Sequence, residues 1–229
     1  MASSHFLPTA TRTLRLLPRF TTRHSIITPT FTPTTTTTSS SHLLLLTRSK
    51  HTRTPPHLPI GGLADVDDVR RQLPPNVAQH LDGYPSLINL PVQWGDQDAF
   101  GHLNNCIYLR YFESGRIAYF DQILRPHLSQ HAYNSFIMAR AIGVIVKSLS
   151  CKYIAPCRYP DILTIGVRID AASVKKDRFT QSAVFVSHAQ GIVVAEAECC
   201  VVTYDYREQR KANVPADVVA AWKKGEGIA

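Results

Sequence analysis

The sequence predicts an α+β domain in which an antiparallel sheet of five strands wraps around one long central helix. A helical segment at 104–124 follows the first strand, and its apolar residues cover most of its circumference. A helix with so wide an apolar surface is buried inside something large. Because no other element is large enough to cover it, we expect the sheet to curl around it. Four further strand-like segments follow the helix, at 144–154, 161–169, 179–187 and 192–206.

The first strand, at 86–94, contains Pro91. Proline cannot donate to a β-ladder, so this strand is predicted at a sheet edge or at a bulge. The long helix is expected to stop shortly before Pro126. Short turns between the later strands predict an antiparallel meander, with successive strands paired to one another.

Two short helices are predicted at the borders of this domain. Residues 62–73 have the pattern of a polar helix that ends at Pro74. Residues 215–227 begin with proline and end with lysines and glycines, the order typical of a short helix. The predicted organisation is therefore a leader (1–64), a helical lead-in (65–85), the folded domain (86–206) and a tail with a short helix (207–229).

The leader differs from the rest of the chain in charge. It carries seven of the 25 Lys and Arg residues and none of the 17 Asp and Glu residues, and it is rich in Ser and Thr. These properties are typical of an organelle transit peptide, and we expect a mitochondrial rather than a plastid address; a disordered tail is the alternative. The remainder is nearly neutral, so no nucleic-acid partner is expected. No apolar run approaches the roughly 20 residues needed to span a membrane.

The five cysteines show no CxxC pair and no histidine at ligand spacing. We expect them to act as small buried hydrophobic residues, and we expect neither a metal site nor any cofactor.

The segment "WGDQDAFGHLNNCIYLRYFESGR" at 94–116 places two carboxylates, an imidazole and two amides where the long helix begins. Ordinary capping is one explanation for such residues. Asp98, however, lies six residues before Asn104, too early to cap the helix directly. The first N–H groups of a helix have no internal partner and carry partial positive charge, so a developing oxyanion would be stabilised there. These residues therefore indicate a candidate active site.

This segment resembles the 4-hydroxybenzoyl-CoA thioesterase-like branch of the hotdog-fold acyl-CoA thioesterases, and the resemblance extends over residues 86–206. The later segment "YIAPCRYPDILTI" is similar to the family's strand–Pro–turn–Asp–strand unit. About ten positions agree at fixed spacing. The shared residues of the first segment are Asp96, Asp98, Gly101, His102, Asn104, Asn105, Tyr108, Phe112, Glu113 and Arg116.

The resemblance implies that a thioester carbonyl binds at the start of the helix. Asp98 would be the catalytic carboxylate, either attacking the carbonyl or activating water, and the backbone N–H of Asn105 would polarise the carbonyl. His102 would protonate or tune the leaving thiolate, or it would only orient the loop. Asp96 is expected to bond the backbone of the turn.

Other residues have two explanations each. Tyr108 and Phe112 would line the acyl pocket or pack in the core. Lys175, Lys176 and Arg178, joined by Arg158, would hold the phosphates of coenzyme A, as the resemblance implies, or would be a solvated basic turn. Glu113 lies three residues from both Arg110 and Arg116, which predicts ion pairs rather than a catalytic base, although another hotdog branch uses a helix glutamate.

The predicted function is hydrolysis of an acyl thioester of coenzyme A or of an acyl-carrier protein, with coenzyme A as part of the substrate. Hotdog dehydratases have four residues between Asp and His, whereas three separate Asp98 from His102. A non-catalytic hotdog subunit that binds thioesters or supports an organelle complex is the alternative. The resemblance also implies a homodimer or homotetramer with active sites between subunits.

Overall fold

The structure is a computed structural model that describes residues 65–228. The predicted leader and transit peptide lie outside the described residues. The strands are β1 (Ser86–Pro91), β2 (Ile142–Tyr153), β3 (Ile162–Ile169), β4 (Arg178–Ser187), β5 (Ile192–Asp205) and the two-residue β6 (Arg210–Lys211). The helices are α1 (Val66–Arg71), α2 (Pro75–Ala78), α3 (Asn105–Tyr119), α4 (Gln130–Ile137) and α5 (Ala216–Gly225).

One antiparallel sheet contains all of these strands in the order β1-β3-β4-β5-β2, with β6 added to β5. The five long strands are those predicted. The predicted meander is correct only from β3 to β5, because β2 pairs with β5 at the far edge and not with β3. The segment 154–161 between β2 and β3 contains two prolines, which cannot donate to a hairpin ladder. It forms a crossover loop that carries the chain past the ends of β5 and β4.

Pro91 is the last residue of β1, which pairs only with β3. The predicted position of this proline at a sheet edge is therefore confirmed. The two edges of the sheet are β1 and the much longer β2.

Helix α3 lies against the concave face of the sheet, closest to β1 and β3. Gly115 permits this approach, because a Cβ at that position would meet Val167 and Ile165 at 3.0 and 3.1 Å. The predicted helix at 104–124 has the right extent but not a uniform geometry. Asn104 is its cap, and the segment Phe120–Leu124 is a π-helical turn. Pro126 lies in the 3₁₀ turn that follows.

The predicted helices at the borders are confirmed as α1 and α5, whereas α2 and α4 were not predicted. Residues of α1, α2 and the turn after α2 cover the outer face of the sheet, where Val77 and Leu81 pack with Leu87 and Val184. Helix α5 instead packs into the main core beside the end of α3. No helix within residues 65–228 is long and apolar enough to cross a membrane.

Candidate active site

A tight loop before α3 holds the carboxylate of Asp98. The Asp98 N–H donates to the His102 carbonyl at 2.8 Å, and the Gly101 N–H donates to the Asp98 carbonyl at 3.0 Å. Gly101 has φ +71°, a backbone conformation that glycine adopts without strain. The Asp98 Oδ1 accepts the N–H groups of Phe100 and His102 at 2.8 and 3.4 Å. No other described residue donates to this carboxylate, so Oδ2 is available to a ligand.

The first turn of α3 leaves one backbone donor unused. The side chain of Asn104 accepts the Cys106 N–H at 2.9 Å, and the Asn104 carbonyl accepts the Ile107 N–H at the same distance. Within the described part of the chain, nothing accepts the N–H of Asn105. Asn104 is therefore the N-cap, and Asn105 presents the exposed positive end of the helix.

A cavity of about 270 Å³ is lined by both Asp98 and Asn105, the residues that carry the unused oxygen and the unused N–H. Its lining combines polar residues before and at the start of α3 with apolar and aromatic residues from α3, the end of β2 and the crossover loop. The lining residues are Asp98, His102, Leu103, Asn105, Tyr108, Tyr153, Ile154, Ala155, Pro156 and Cys157. A group that carries a carbonyl next to an apolar chain matches this distribution of polar and apolar wall.

Tyr108 is only 3% exposed and lines the cavity, so its side chain packs in the core and also borders the cavity. Its ring packs edge-on against Tyr153 and Phe185, and burial raises the pKa of its hydroxyl above the ordinary value. Phe112 is fully buried and does not line the cavity, so it belongs to the core. Tyr153 donates its hydroxyl to the Asn105 carbonyl at 3.0 Å, which ties β2 to the first residue of α3.

The crossover loop supports the cavity from the other side. Cys157 is buried, and its carbonyl accepts the Leu103 N–H at 2.8 Å, so the loop is bonded to the entrance of α3. The Cys157 thiol lies 3.3 Å from Asp161, and burial together with that carboxylate raises the pKa of the thiol to about 12. A thiol with so high a pKa stays protonated at neutral pH and is a poor nucleophile. Sequence reasoning did not identify Cys157 or Tyr153 as lining residues.

His102 and Arg158 meet at the mouth of the cavity. The Arg158 Nη2 lies 2.9 Å from the His102 Nε2, although 56 residues separate them in the sequence. Arg158 also borders a second, open groove of about 400 Å³ that shares Pro156 with the cavity.

Asp96 has the structural role predicted for it. Its carboxylate accepts the Gln93 N–H at 3.2 Å and the Tyr111 hydroxyl at 2.8 Å. The predicted ion pairs of Glu113 are wrong: this exposed carboxylate lies within 4 Å of no Lys or Arg nitrogen in the described residues. The spacing on the helix permits those pairs, but at an exposed position they gain too little to fix two long side chains.

The basic turn lies far from the cavity. Arg178 pairs with Val202 near one end of β5. Tyr153, which lines the cavity, pairs with Ala195 near the other end of β5. Seven residues of extended strand correspond to about 23 Å. Arg178 also forms an ion pair with its neighbour Asp177, and Lys211 approaches the same carboxylate. Within one chain, the structure thus brings Asp98, His102, Asn105, Tyr108 and Arg158 together but not Lys175, Lys176 or Arg178.

Within residues 65–228, no group of three or more His, Cys, Asp and Glu side chains is arranged to hold a metal ion.

Comparison with known proteins agrees with this architecture. The model of the thioesterase-like superfamily matches residues 92–222. The acyl-CoA thioester hydrolase YbgC of Escherichia coli is 29% identical over 141 residues, which cover 61% of this chain and 98% of that protein. A thioesterase from Thermus thermophilus, solved with coenzyme A and zinc, is similar with a TM-score of 0.53 at 22% identity, over 65% of this chain and 98% of that one.

A 1,4-dihydroxy-2-naphthoyl-CoA thioesterase from Synechocystis is similar with a TM-score of 0.50 at 18% identity, over 60% of this chain and 94% of that one. The chain belongs to the thioesterase-like superfamily, because the matched family model covers more than half of it. The predicted fold, a sheet wrapped around one helix as in the hotdog thioesterases, is confirmed.

Proposed function

We propose that this protein hydrolyses an acyl-CoA thioester to the free acid and coenzyme A, with Asp98 and the backbone N–H of Asn105 as the catalytic groups. One observation carries the proposal: Asp98, with a carboxylate oxygen that has no partner in the described chain, and Asn105, with a helix N-terminal N–H that has none, line one cavity. Membership of the thioesterase-like superfamily and the similarity to an acyl-CoA thioester hydrolase support the reaction class.

In this proposal the thioester carbonyl oxygen accepts the Asn105 N–H. The N–H at the start of α3 then stabilises the negative charge that develops on that oxygen during attack, an effect typically worth a few kcal/mol per donor. The acyl group extends toward Tyr108 and Leu103, and the coenzyme A portion leaves past His102 and Arg158. The apolar part of the lining suits an aliphatic or aromatic acyl group.

Asp98 is compatible with two routes. In one, Asp98 takes a proton from water while the water oxygen adds to the carbonyl carbon. The C–S bond then breaks with its electron pair on sulfur, and the proton passes to the thiolate. In the other, Asp98 itself attacks, the thiolate leaves, and water cleaves the resulting mixed anhydride to the acid and the free carboxylate. Both routes convert one thioester and one water into one acid and one thiol.

We further propose a homodimer through β2. This strand is an open edge of the sheet, and it exposes Ile145, Val146 and Leu149 to between 38% and 45%. A long apolar edge strand is a template for pairing with a second chain. Light scattering after size-exclusion chromatography should give at least a dimer, and Leu149→Glu should weaken it. A wild-type protein that is a stable monomer would rule this arrangement out.

Antiparallel pairing of two β2 strands would place the Tyr153 end of one chain beside the Ile142 end of the other. Ile142 pairs with Asp205 at the C-terminal end of β5. Arg178, the first residue of β4, pairs with Val202 near the same end. The partner's basic turn would then lie on the same side as the cavity. We therefore propose that Lys175, Lys176 and Arg178 hold coenzyme A phosphates across the dimer interface.

The proposed activity is tested by thiol release from a panel of acyl-CoA thioesters, from acetyl to palmitoyl, with benzoyl and phenylacetyl included. Asp98→Asn is the matched variant, because its amide oxygen can still accept the loop N–H groups. We expect wild-type turnover of at least one substrate and a loss of about 1000-fold or more in the variant. Binding of the same substrate without turnover by the folded wild-type protein would instead support a non-catalytic hotdog subunit.

Acyl-carrier-protein thioesters form a second arm of this panel. A mitochondrial address remains a prediction from the composition of residues 1–64, and we propose to test it by microscopy of a full-length fluorescent fusion.

A further inference from the structure

We propose that Arg158 is a positioning residue that fixes the tautomer of His102, so that the imidazole offers an Nδ1–H donor to the leaving sulfur. This inference rests on the proposed function for its catalytic part. It assigns Arg158 a role different from phosphate binding.

The proposal begins with the contact at the mouth of the cavity. The Arg158 Nη2 lies 2.9 Å from the His102 Nε2, within hydrogen-bond distance. A guanidinium can only donate hydrogen bonds. The His102 Nε2 must therefore be the acceptor, and the ring proton must be on Nδ1. In this arrangement the ring is neutral.

Arg158 is free to serve this purpose. Its exposed guanidinium lies within 4 Å of no carboxylate in residues 65–228, and its only side-chain hydrogen bond there is the one to His102. A cation that is not neutralised by the protein adds positive potential where a thiolate forms.

The backbone of His102 is also held firmly. Its N–H and carbonyl are both bonded to Asp98, which links the ring to the loop that carries the catalytic carboxylate. The Asp98 carboxylate binds that backbone N–H and not the imidazole ring. No other described group hydrogen-bonds the His102 side chain, so its tautomer depends on Arg158 alone.

Two consequences follow for the reaction. With Nε2 occupied, His102 cannot accept a proton from water there, and Asp98 is the only base among the described residues that line the cavity. The Nδ1–H can donate to the sulfur as the C–S bond breaks and its electron pair moves to sulfur. The imidazole carries the same single proton before and after the reaction. Atoms and charge therefore balance as in the hydrolysis described above.

The tautomer is tested directly by nitrogen NMR of the full chain labelled with ¹⁵N-histidine, with His102→Gln to assign its signals. We expect His102 to be protonated on Nδ1 in the wild type. Arg158→Met, which keeps length but removes the donors, should shift it toward the Nε2–H form that free histidine favours in water. Arg158→Lys, which restores one cationic donor, should retain the wild-type form. A wild-type ring protonated on Nε2, or no change in Arg158→Met, would overturn the proposal.

Kinetics separate positioning from phosphate binding. We expect Arg158→Met to lower kcat on the order of 100-fold, with an equal loss on an acyl-CoA and on the matching acyl-N-acetylcysteamine thioester, which has no phosphate. Arg71→Met, at an exposed position of α1, is the control and should leave both rates unchanged. A rise in KM confined to the coenzyme A substrate would show that Arg158 binds phosphate instead.

The two readouts keep the proposals apart. If the wild type hydrolyses no thioester but the NMR shifts are as expected, the proposed function fails and the positioning contact stands.

Discussion

The two ends of α3 are built in opposite ways. At the N-terminal end, polar loops surround a cavity, Asn105 keeps an unused N–H, and Asp98 keeps an unused oxygen. At the C-terminal end, the Tyr119 hydroxyl donates to Glu226, and the buried Trp222 of α5 covers the aromatic core. The same helix is therefore covered by α5 at one end and borders a cavity at the other.

Between these ends, aromatic residues of α3 and of the π-helical turn that follows it pack against rings of β4. Tyr108 faces Phe185 at 5.6 Å between ring centroids, and Phe120 faces Phe179 at 6.4 Å. Close packing of this kind holds α3 in a fixed position relative to the sheet.

The largest effect on stability is expected at the end covered by α5. Trp222→Ala should lower the free energy of unfolding by about 3–5 kcal/mol, because Trp222 is 7% exposed and closes the core. Trp94→Ala is the control, since this other tryptophan is 73% exposed at the open end, and its effect should be below about 1 kcal/mol. Urea unfolding measures both. Equal losses would show that the two ends do not differ in packing as described.

A smaller effect is expected at the open end. Asn104→Ala removes the acceptor of the Cys106 N–H and should cost about 1 kcal/mol of unfolding free energy. Asn104→Ser restores a capping oxygen and should recover most of that loss. If alanine and serine behave alike in urea unfolding, the Asn104 side chain does not cap the helix.

An effect of similar size but opposite sign is expected at the fully buried Gln181. Both amide atoms of Gln181 are buried without a partner in the described residues, which costs free energy. Gln181→Met, of similar shape, should raise the free energy of unfolding by about 1 kcal/mol, whereas Gln79→Met on the exposed surface should leave it unchanged. A clear decrease in Gln181→Met would indicate that a buried water or ligand group satisfies the amide.

Local sequence signals predicted much of the fold. The apolar surface of α3, the alternation of the strands and Pro91 at an edge depend on neighbouring residues, and each was predicted. The position of β2 was not, because the choice between β3 and β5 as its partner depends on contacts far apart in the chain. Helix α4 was not predicted because its sequence lacks an extended apolar pattern.

The candidate site likewise combines contacts that follow from local spacing with contacts between residues far apart in the sequence. Asp98, His102 and Asn105 lie in one short segment, so their proximity follows from local spacing. The contact between Arg158 and His102 bridges 56 residues, and no periodicity predicts it. The basic turn has an apt composition for phosphates, but composition does not reveal that β4 and β5 hold it at the opposite end of the sheet.

The central claim is that the backbone N–H of Asn105 polarises the thioester carbonyl, and Asn105→Pro tests it most directly. Proline removes that N–H alone and is favoured at the first position of a helix. Asn104 has φ −58° and ψ 136°, a conformation that tolerates a following proline. Asn105→Ala is the matched control, because it changes the side chain and keeps the N–H.

We expect Asn105→Pro to lower kcat for acyl-CoA hydrolysis about 100- to 1000-fold with little change in unfolding free energy, and Asn105→Ala to remain close to the wild type. A folded Asn105→Pro variant with wild-type kcat would contradict the account.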